Sequence, residues 1–232
     1  MAEREDLFTP VHKGLRAMLY NLSGRLQTND FADSGTTQTL MTDLEHDFDV
    51  ARSAGCILCV LNHHATDEES AIFPAVSRVG DGLVQRLIDE HHELTRREIE
   101  LARQGHELLD LTSGEQRVAA GVVLNQHANE LFALYIAHMN LEETDLVPLM
   151  QRHFTDEEMV AMRSTILRGM PPDRLFSILG WMLPSLNVSE LSALLASVRP
   201  TAPPPFLKAI VDLASAKVDP ARWNEVRLRV GL

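Results

Sequence analysis

Two eleven-residue segments of this chain follow one pattern, and that pattern admits few folds. From His64 the sequence runs His-Ala-Thr-Asp-Glu-Glu-Ser-Ala-Ile-Phe-Pro, and from His138 it runs His-Met-Asn-Leu-Glu-Glu-Thr-Asp-Leu-Val-Pro. The histidine, both glutamates, two apolar residues and the proline fall in register. Upstream, His12 and His91 are each followed three residues later by leucine, at Leu15 and Leu94. The chain therefore reads as a duplicated αα-hairpin, each copy supplying one lone histidine and one His-x-x-x-Glu.

Aromatic residues are only 5% of the chain, strict alternation is scarce, and most segments repeat aliphatic residues at helical spacing. An all-α protein follows. Helices are expected over 7–28, 37–73, 81–109 and 114–150, with turn signals at Asp33-Ser34-Gly35, Pro74, Gly80-Asp81-Gly82 and Ser113-Gly114. Connections this short give an up-down-up-down four-helix bundle. Thr155 and Glu158 carry the spacing of a capping box at the start of a fifth helix. Shorter helices are expected over 173–183, 188–198, 205–217 and 220–229, punctuated by prolines. The domain reading is 1–152 for the bundle and 153–232 for a C-terminal helical extension packed on it.

At 100° per residue, positions i and i+4 differ by about 40°, so His64 with Glu68 and His138 with Glu142 each share a face. Those faces also carry Ile57, Val60, Leu61 and Ala71 on one helix and Leu131, Leu134 and Leu141 on the other. Burying imidazoles and carboxylates there costs several kcal/mol unless something pairs with them, and a cation pairs with all of them at once. Depth agrees. His64 and His138 each precede by ten residues the proline expected to end their helix, about 15 Å, and His12 and His91 reach a similar level. His46 and His127 lie about 27 and 16 Å away along the axis and cannot join. His46, His106 and His153 read as solvated or capping residues, His127 as a hydrogen-bonded core histidine, and His63 and His92 as flanking. Register with His138 selects His64 over His63.

Other chemistries lack their signatures. There is no Glu-x-x-His of the ferritin-like bundles, no His-Glu-x-x-His, no Gly-x-Ser-x-Gly and no phosphate-binding loop. Thirty-three acidic residues against 21 basic ones give a net charge of −12, which argues against nucleic acid and anionic membrane as partners. No apolar stretch of membrane-spanning length and no apolar leader occurs, so a cytoplasmic location is expected. Cys56 and Cys59 sit in an apolar run rather than a strand-to-helix turn, so two small thiols, buried or flanking, are expected.

The residues His12, His91, His64 to Glu69 and His138 to Glu143 resemble the hemerythrin-like family, the HHE cation-binding domain, across about residues 7–150. The resemblance implies metal ligation by His12, His64, Glu68, His91, His138 and Glu142. It implies a centre of two irons per chain bridged by Glu68 and Glu142, with dioxygen, hydrogen peroxide or nitric oxide as the small-molecule partner. The family's oxygen carriers have a further histidine on the third helix, where this chain has Leu87 and Thr95 on either side of His91. Their last carboxylate also follows its histidine by five residues, a position held here by Glu143.

Oxygen transport is thereby disfavoured and open metal positions are implied. The expected role is a di-iron oxidoreductase or catalase-like peroxide remover. Tyr135 stands one turn from His138, Glu98 lies on the His91 face, and Glu69 and Glu143 flank the bridging carboxylates as supporting groups. The imidazole and carboxylate set also admits manganese or zinc. The alternative is an iron, oxygen or redox sensor whose C-terminal helices, 171–232, recruit a protein partner or a second copy.

Overall fold

The computed structural model describes residues 4–44 and 56–232, and among them every regular element is helical. Helix α1 spans Thr9–Thr28, α2 Ser34–Leu44, α3 Ile57–Ala71, α4 Phe73–Asp110 and α5 Gly114–Leu141. A π-helical turn, Glu142–Leu146, joins α5 to α6, Val147–His153. Then come α7 (Asp156–Gly169), α8 (Pro172–Ser185), α9 (Val188–Val198), α10 (Pro204–Lys217) and α11 (Pro220–Val230). The bundle's four arms are α1, α2 with α3, the long part of α4, and α5. None of the described helices is long and apolar enough to cross a membrane.

Three helix boundaries differ from the sequence reading. The helix expected over 37–73 is not continuous: Cys56 is extended (ψ 147°) and starts α3 afresh as its N-cap, while 45–55, with His46, lie outside the described residues. The turn expected at Gly80 is a kink within α4, where Gly80 alone leaves helical geometry. Pro74 follows the end of α3 at Ala71, as the sequence reading expects, but Pro148 does not end its helix, which continues to His153. Pro74 and Pro148 each sit in the first turn of the next helix, where the missing N–H is not needed. In the second copy the chain reaches Pro148 through the π turn, in which Val147 N–H bonds to the Glu142 carbonyl. Widening the helix there relieves the clash a proline ring makes with the carbonyl four residues back.

The two cysteines are also not free thiols. Cys56 and Cys59 form a disulfide across the first turn of α3, because residues i and i+3 at a helix start bring their Cα atoms to 5.2 Å. Elsewhere local chemistry behaves as written: Thr155 and Glu158 make the full capping box of α7, and Asn187 and Glu190 make another at α9.

Apolar residues gather in three clusters. One fills the bundle around Leu19, Leu61 and Leu131; one lies near the start of α1 and the α3–α4 corner around Phe8, Phe73, Leu87 and Leu146; the third unites α8 to α11 around Leu183, Leu191 and Trp223. Leu134, expected inside, is partly exposed. Helix α8 bridges the units, since Ile178 and Trp181 pack on the bundle core while Leu179 and Leu183 belong to the C-terminal one.

That seat depends on Gly14. A Cβ on Gly14 would stand 2.9 Å from both Cα and N of Met182, main-chain atoms that cannot swing aside. Alanine gains about 1 kcal/mol of helix propensity over glycine, but overpacking typically costs 1–3 kcal/mol. Because the clash is with main-chain atoms the cost lies in the upper part of that range, about 2–3 kcal/mol, so Gly14→Ala should lower stability by a net of about 1–2 kcal/mol, seen as a drop of roughly 5 °C in thermal melting followed by circular dichroism. An unchanged melting temperature would show that α8 does not seat on α1.

Candidate metal centre

Each arm delivers its ligand-type side chain to one level of the bundle. His12 comes from α1, His64 and Glu68 from α3, His91 from α4, and His138 from the last turn of α5, with Glu142 opening the π turn. Five of the six are buried and His64 is 14% exposed as a side chain. His12 Nε2 lies 3.2 Å from His64 Nε2, and His91 Nε2 lies 2.9 Å from His138 Nε2. The rings thus meet in two pairs, with the carboxylates between them.

Glu68 reaches both pairs, with Oε1 3.0 Å from His64 Nε2 and Oε2 3.3 Å from His91 Nε2. Glu142 does the same from the other side, with Oε2 3.3 Å from His12 Nε2 and Oε1 3.4 Å from His138 Nε2. Two quartets of ligand atoms result, His12-His64-Glu68-Glu142 and Glu68-His91-His138-Glu142, each with its atoms within 4.8 Å of one another. Both glutamates belong to both quartets.

All four carboxylate oxygens are buried, and the angles give none of them a hydrogen bond. Four such acceptors facing four imidazole nitrogens form a donor set that a cation satisfies and an empty core does not. The residues present fit a metal.

Carboxylates behind the rings fix their orientation. Glu143 accepts from His12 Nδ1 at 2.9 Å, Glu69 from His91 Nδ1 at 2.8 Å, and Glu90 from His138 Nδ1 at 2.9 Å. With Nδ1 engaged, Nε2 is left to face the centre, the arrangement in which imidazoles bind metals. Glu143 is steered in turn by Arg16, whose Nη1 donates at 2.8 Å, and Phe73 stacks on His91 at 5.5 Å between centroids. The pairing is crossed: the second glutamate of each repeat copy holds the lone histidine of the other copy.

One match is missing from this symmetry. Glu90 precedes His91, but the residue preceding His12 is Val11, so His64 has no counterpart of the carboxylate that holds His138. The sequence contained Glu90, yet without a repeat partner it gave no signal. Arg16 and the half-buried pair of Arg174 with Asp67 were missed for a different reason, since they connect helices remote in the chain.

Electrostatics follow the geometry. Burial pulls the His12 ring down, but Glu142 and Glu143 more than reverse this and bring its pKa to about 9. Burial likewise lowers His138, and Glu142 together with Glu68 and Glu90 brings it to about 9. Burial pushes Glu68 up, and the His64 and His91 rings override it, holding the carboxyl well below its ordinary range. Glu142 is pushed up by burial and by Glu68, but His12 and His138 leave it lowered.

A second buried pair lies nearby on α4 and α5: Tyr135 donates its hydroxyl proton to Glu98 Oε1. Burial lifts Glu98 to about 7, and burial with the charges of Glu98 and Glu68 lifts Tyr135 well above 10. His127 bonds Gln104 through Nδ1 at 2.8 Å, and His92, His106 and His153 are exposed.

No curated protein and no solved structure matches this chain. A family model does: that of the hemerythrin HHE cation binding domain covers residues 5–150. With that match extending over more than half of its length, and with a histidine and glutamate cluster suited to a cation, the chain belongs to the hemerythrin HHE cation-binding family.

Proposed function

We propose that the chain is a non-haem di-iron protein that binds or reacts with dioxygen, hydrogen peroxide or nitric oxide, acting as an oxidoreductase or in peroxide removal. The observation that carries the reading is that two ligand quartets share both carboxylates, which suits two ions held side by side rather than one. His12 and His64 would hold one, His91 and His138 the other, and Glu68 and Glu142 would bridge them. Bound there, two irons supply a redox pair able to exchange electrons with an oxygen species or nitric oxide.

The chain's own residues do the rest. Glu143, Glu69 and Glu90 hold three of the rings in one tautomer, and the two shared carboxylates counter the ions' charge in a site of low dielectric. Tyr135 keeps its proton against Glu98, so a protonated phenol stands in the core one turn from His138. The missing histidine near Leu87 and Thr95 leaves fewer protein donors than oxygen carriers use, which favours reaction over carriage.

Elemental analysis per chain, with an ultraviolet-visible spectrum before and after peroxide, tests the reading. About two irons with bridge-type absorption that changes on peroxide addition are expected. Zinc alone, or no bound metal after anaerobic iron loading, would sink it.

Proton release gives a further check. In the metal-free protein His12 and His138 titrate near 9, above the ordinary 6.5, so their ion pairs stabilise the fold fully below 6.5 and lose that contribution as pH rises through 9. Metal must displace those protons, so affinity measured by chelator competition should climb from pH 6.5 to 8.5. A flat profile would mean that these rings are not ligands.

A second reading, an iron or redox sensor acting through the C-terminal helices, is favoured by one contact. Arg174 of α8 bonds the Asp67 side chain and, at 3.2 Å, the carbonyl of His63, the residue before His64. Limited proteolysis of residues 171–232 in oxidised and reduced protein tests this, and identical cleavage in both states argues against sensing.

A further inference from the structure

A cavity of about 230 Å³ lies between the bundle and the C-terminal helices, and it reaches His64 and Glu68. More than half of its lining comes from residues beyond the family match, among them Leu175 and Ile178 of α8, Leu194 of α9 and Phe206 of α10. On the bundle side Val11, the residue standing where the other repeat has Glu90, forms part of the wall. The opposite flank of the centre differs. There His138 and Glu90 border a smaller cleft of about 150 Å³ shared with Arg86 and Glu93. The two halves of the centre are thus approached through unlike surroundings, apolar at His64 and charged at His138.

Among the described residues four ionisable side chains border the larger cavity, and each is already engaged. Asp67 is paired with Arg174, Arg163 with Glu5, and His64 and Glu68 face the metal positions. A charged ligand entering this space would lose its hydration and gain no free counter-charge, which opposes its entry. A neutral apolar one gains by burial along walls of leucine, isoleucine and phenylalanine. Size narrows the class further. An apolar cavity of about 150 Å³ takes up benzene, so 230 Å³ accommodates about nine non-hydrogen atoms.

We propose that this cavity binds a neutral, apolar organic molecule of about nine non-hydrogen atoms and presents it to the His64 and Glu68 side of the centre. The proposal rests on the di-iron reading for what His64 and Glu68 hold, whereas the ligand class rests on the cavity alone. It makes the C-terminal helices one wall of a substrate pocket.

The test is calorimetric titration of the full-length, metal-loaded protein with indane and with benzoate, a carboxylate of the same nine non-hydrogen atoms, metal content being measured on the same samples. Indane should bind at least tenfold more tightly than the carboxylate. Ile178→Phe, which fills the cavity from α8, should weaken indane at least tenfold with metal content unchanged. Leu194→Ala enlarges the cavity and should shift preference towards acenaphthene, which keeps the proposal testable if the first variant folds poorly. Equal or tighter binding of the carboxylate, indane affinity untouched by both variants, or uptake of xenon without indane would overturn it. Indane binding by a chain that holds no metal would support the cavity's ligand class and sink the di-iron reading instead.

Discussion

Glu68→Ala should leave the chain with neither metal ion, whereas His64→Ala should leave about one. Glu68 places one oxygen beside His64 and the other beside His91, so its loss removes a donor from both quartets. On the proposed two-ion reading it also removes negative charge that would balance the buried cations, which raises the cost of holding either. His64 belongs to the first quartet alone, and His91, His138, Glu68 and Glu142 remain after its removal. By the same logic Glu142→Ala should match Glu68→Ala, and His91→Ala should match His64→Ala. Elemental analysis of folded, gel-filtered protein distinguishes the outcomes. One ion retained in Glu68→Ala, or none in His64→Ala, would refute shared bridging.

Glu98→Gln should flatten the dependence of stability on pH. Burial raises the Glu98 carboxyl from 4.5 to about 7, so between those values the folded protein binds a proton that the unfolded chain has released. Stability therefore falls as pH climbs from 4.5 to 7, by up to about 3 kcal/mol. Glutamine has no proton to lose and keeps an oxygen for the Tyr135 hydroxyl. Urea denaturation of metal-loaded wild type and variant at pH 5 and pH 8 isolates this contribution, because every other titration is common to both. The difference between the two proteins should grow in favour of the variant at pH 8. A constant difference across the range would place the Glu98 pKa near its ordinary value.

Much of this was legible in the residues, for identifiable reasons. Helical period and proline placement gave the all-α class, and the repeat gave six side chains that the structure brings together from four arms. Those signals are local or duplicated, which is why one chain suffices to read them. The failures share a cause of the opposite kind. Pro148 was read as a stop because the rule about proline is local, while the π turn that accommodates it forms on a helix continuing to His153. The Cys56–Cys59 bridge depended on where α3 begins, which periodicity did not reveal. Glu90, Arg174 and the cavity needed the packing of distant helices, and no spacing within one segment encodes that.

The crossed pairing of the two repeat copies has an evolutionary consequence. Because Glu143 holds His12 and Glu69 holds His91, a single hairpin cannot assemble half a centre by itself. Two identical hairpins related by a two-fold axis contain both lone histidines, both His-x-x-x-Glu pairs and both outer glutamates. A symmetric dimer of one such hairpin would therefore hold every ligand-type side chain of the cluster. Two copies in one polypeptide are free to diverge, and position 11 shows what that freedom permits: a valine beside one half of the cluster and a glutamate beside the other give its two flanks unlike surroundings.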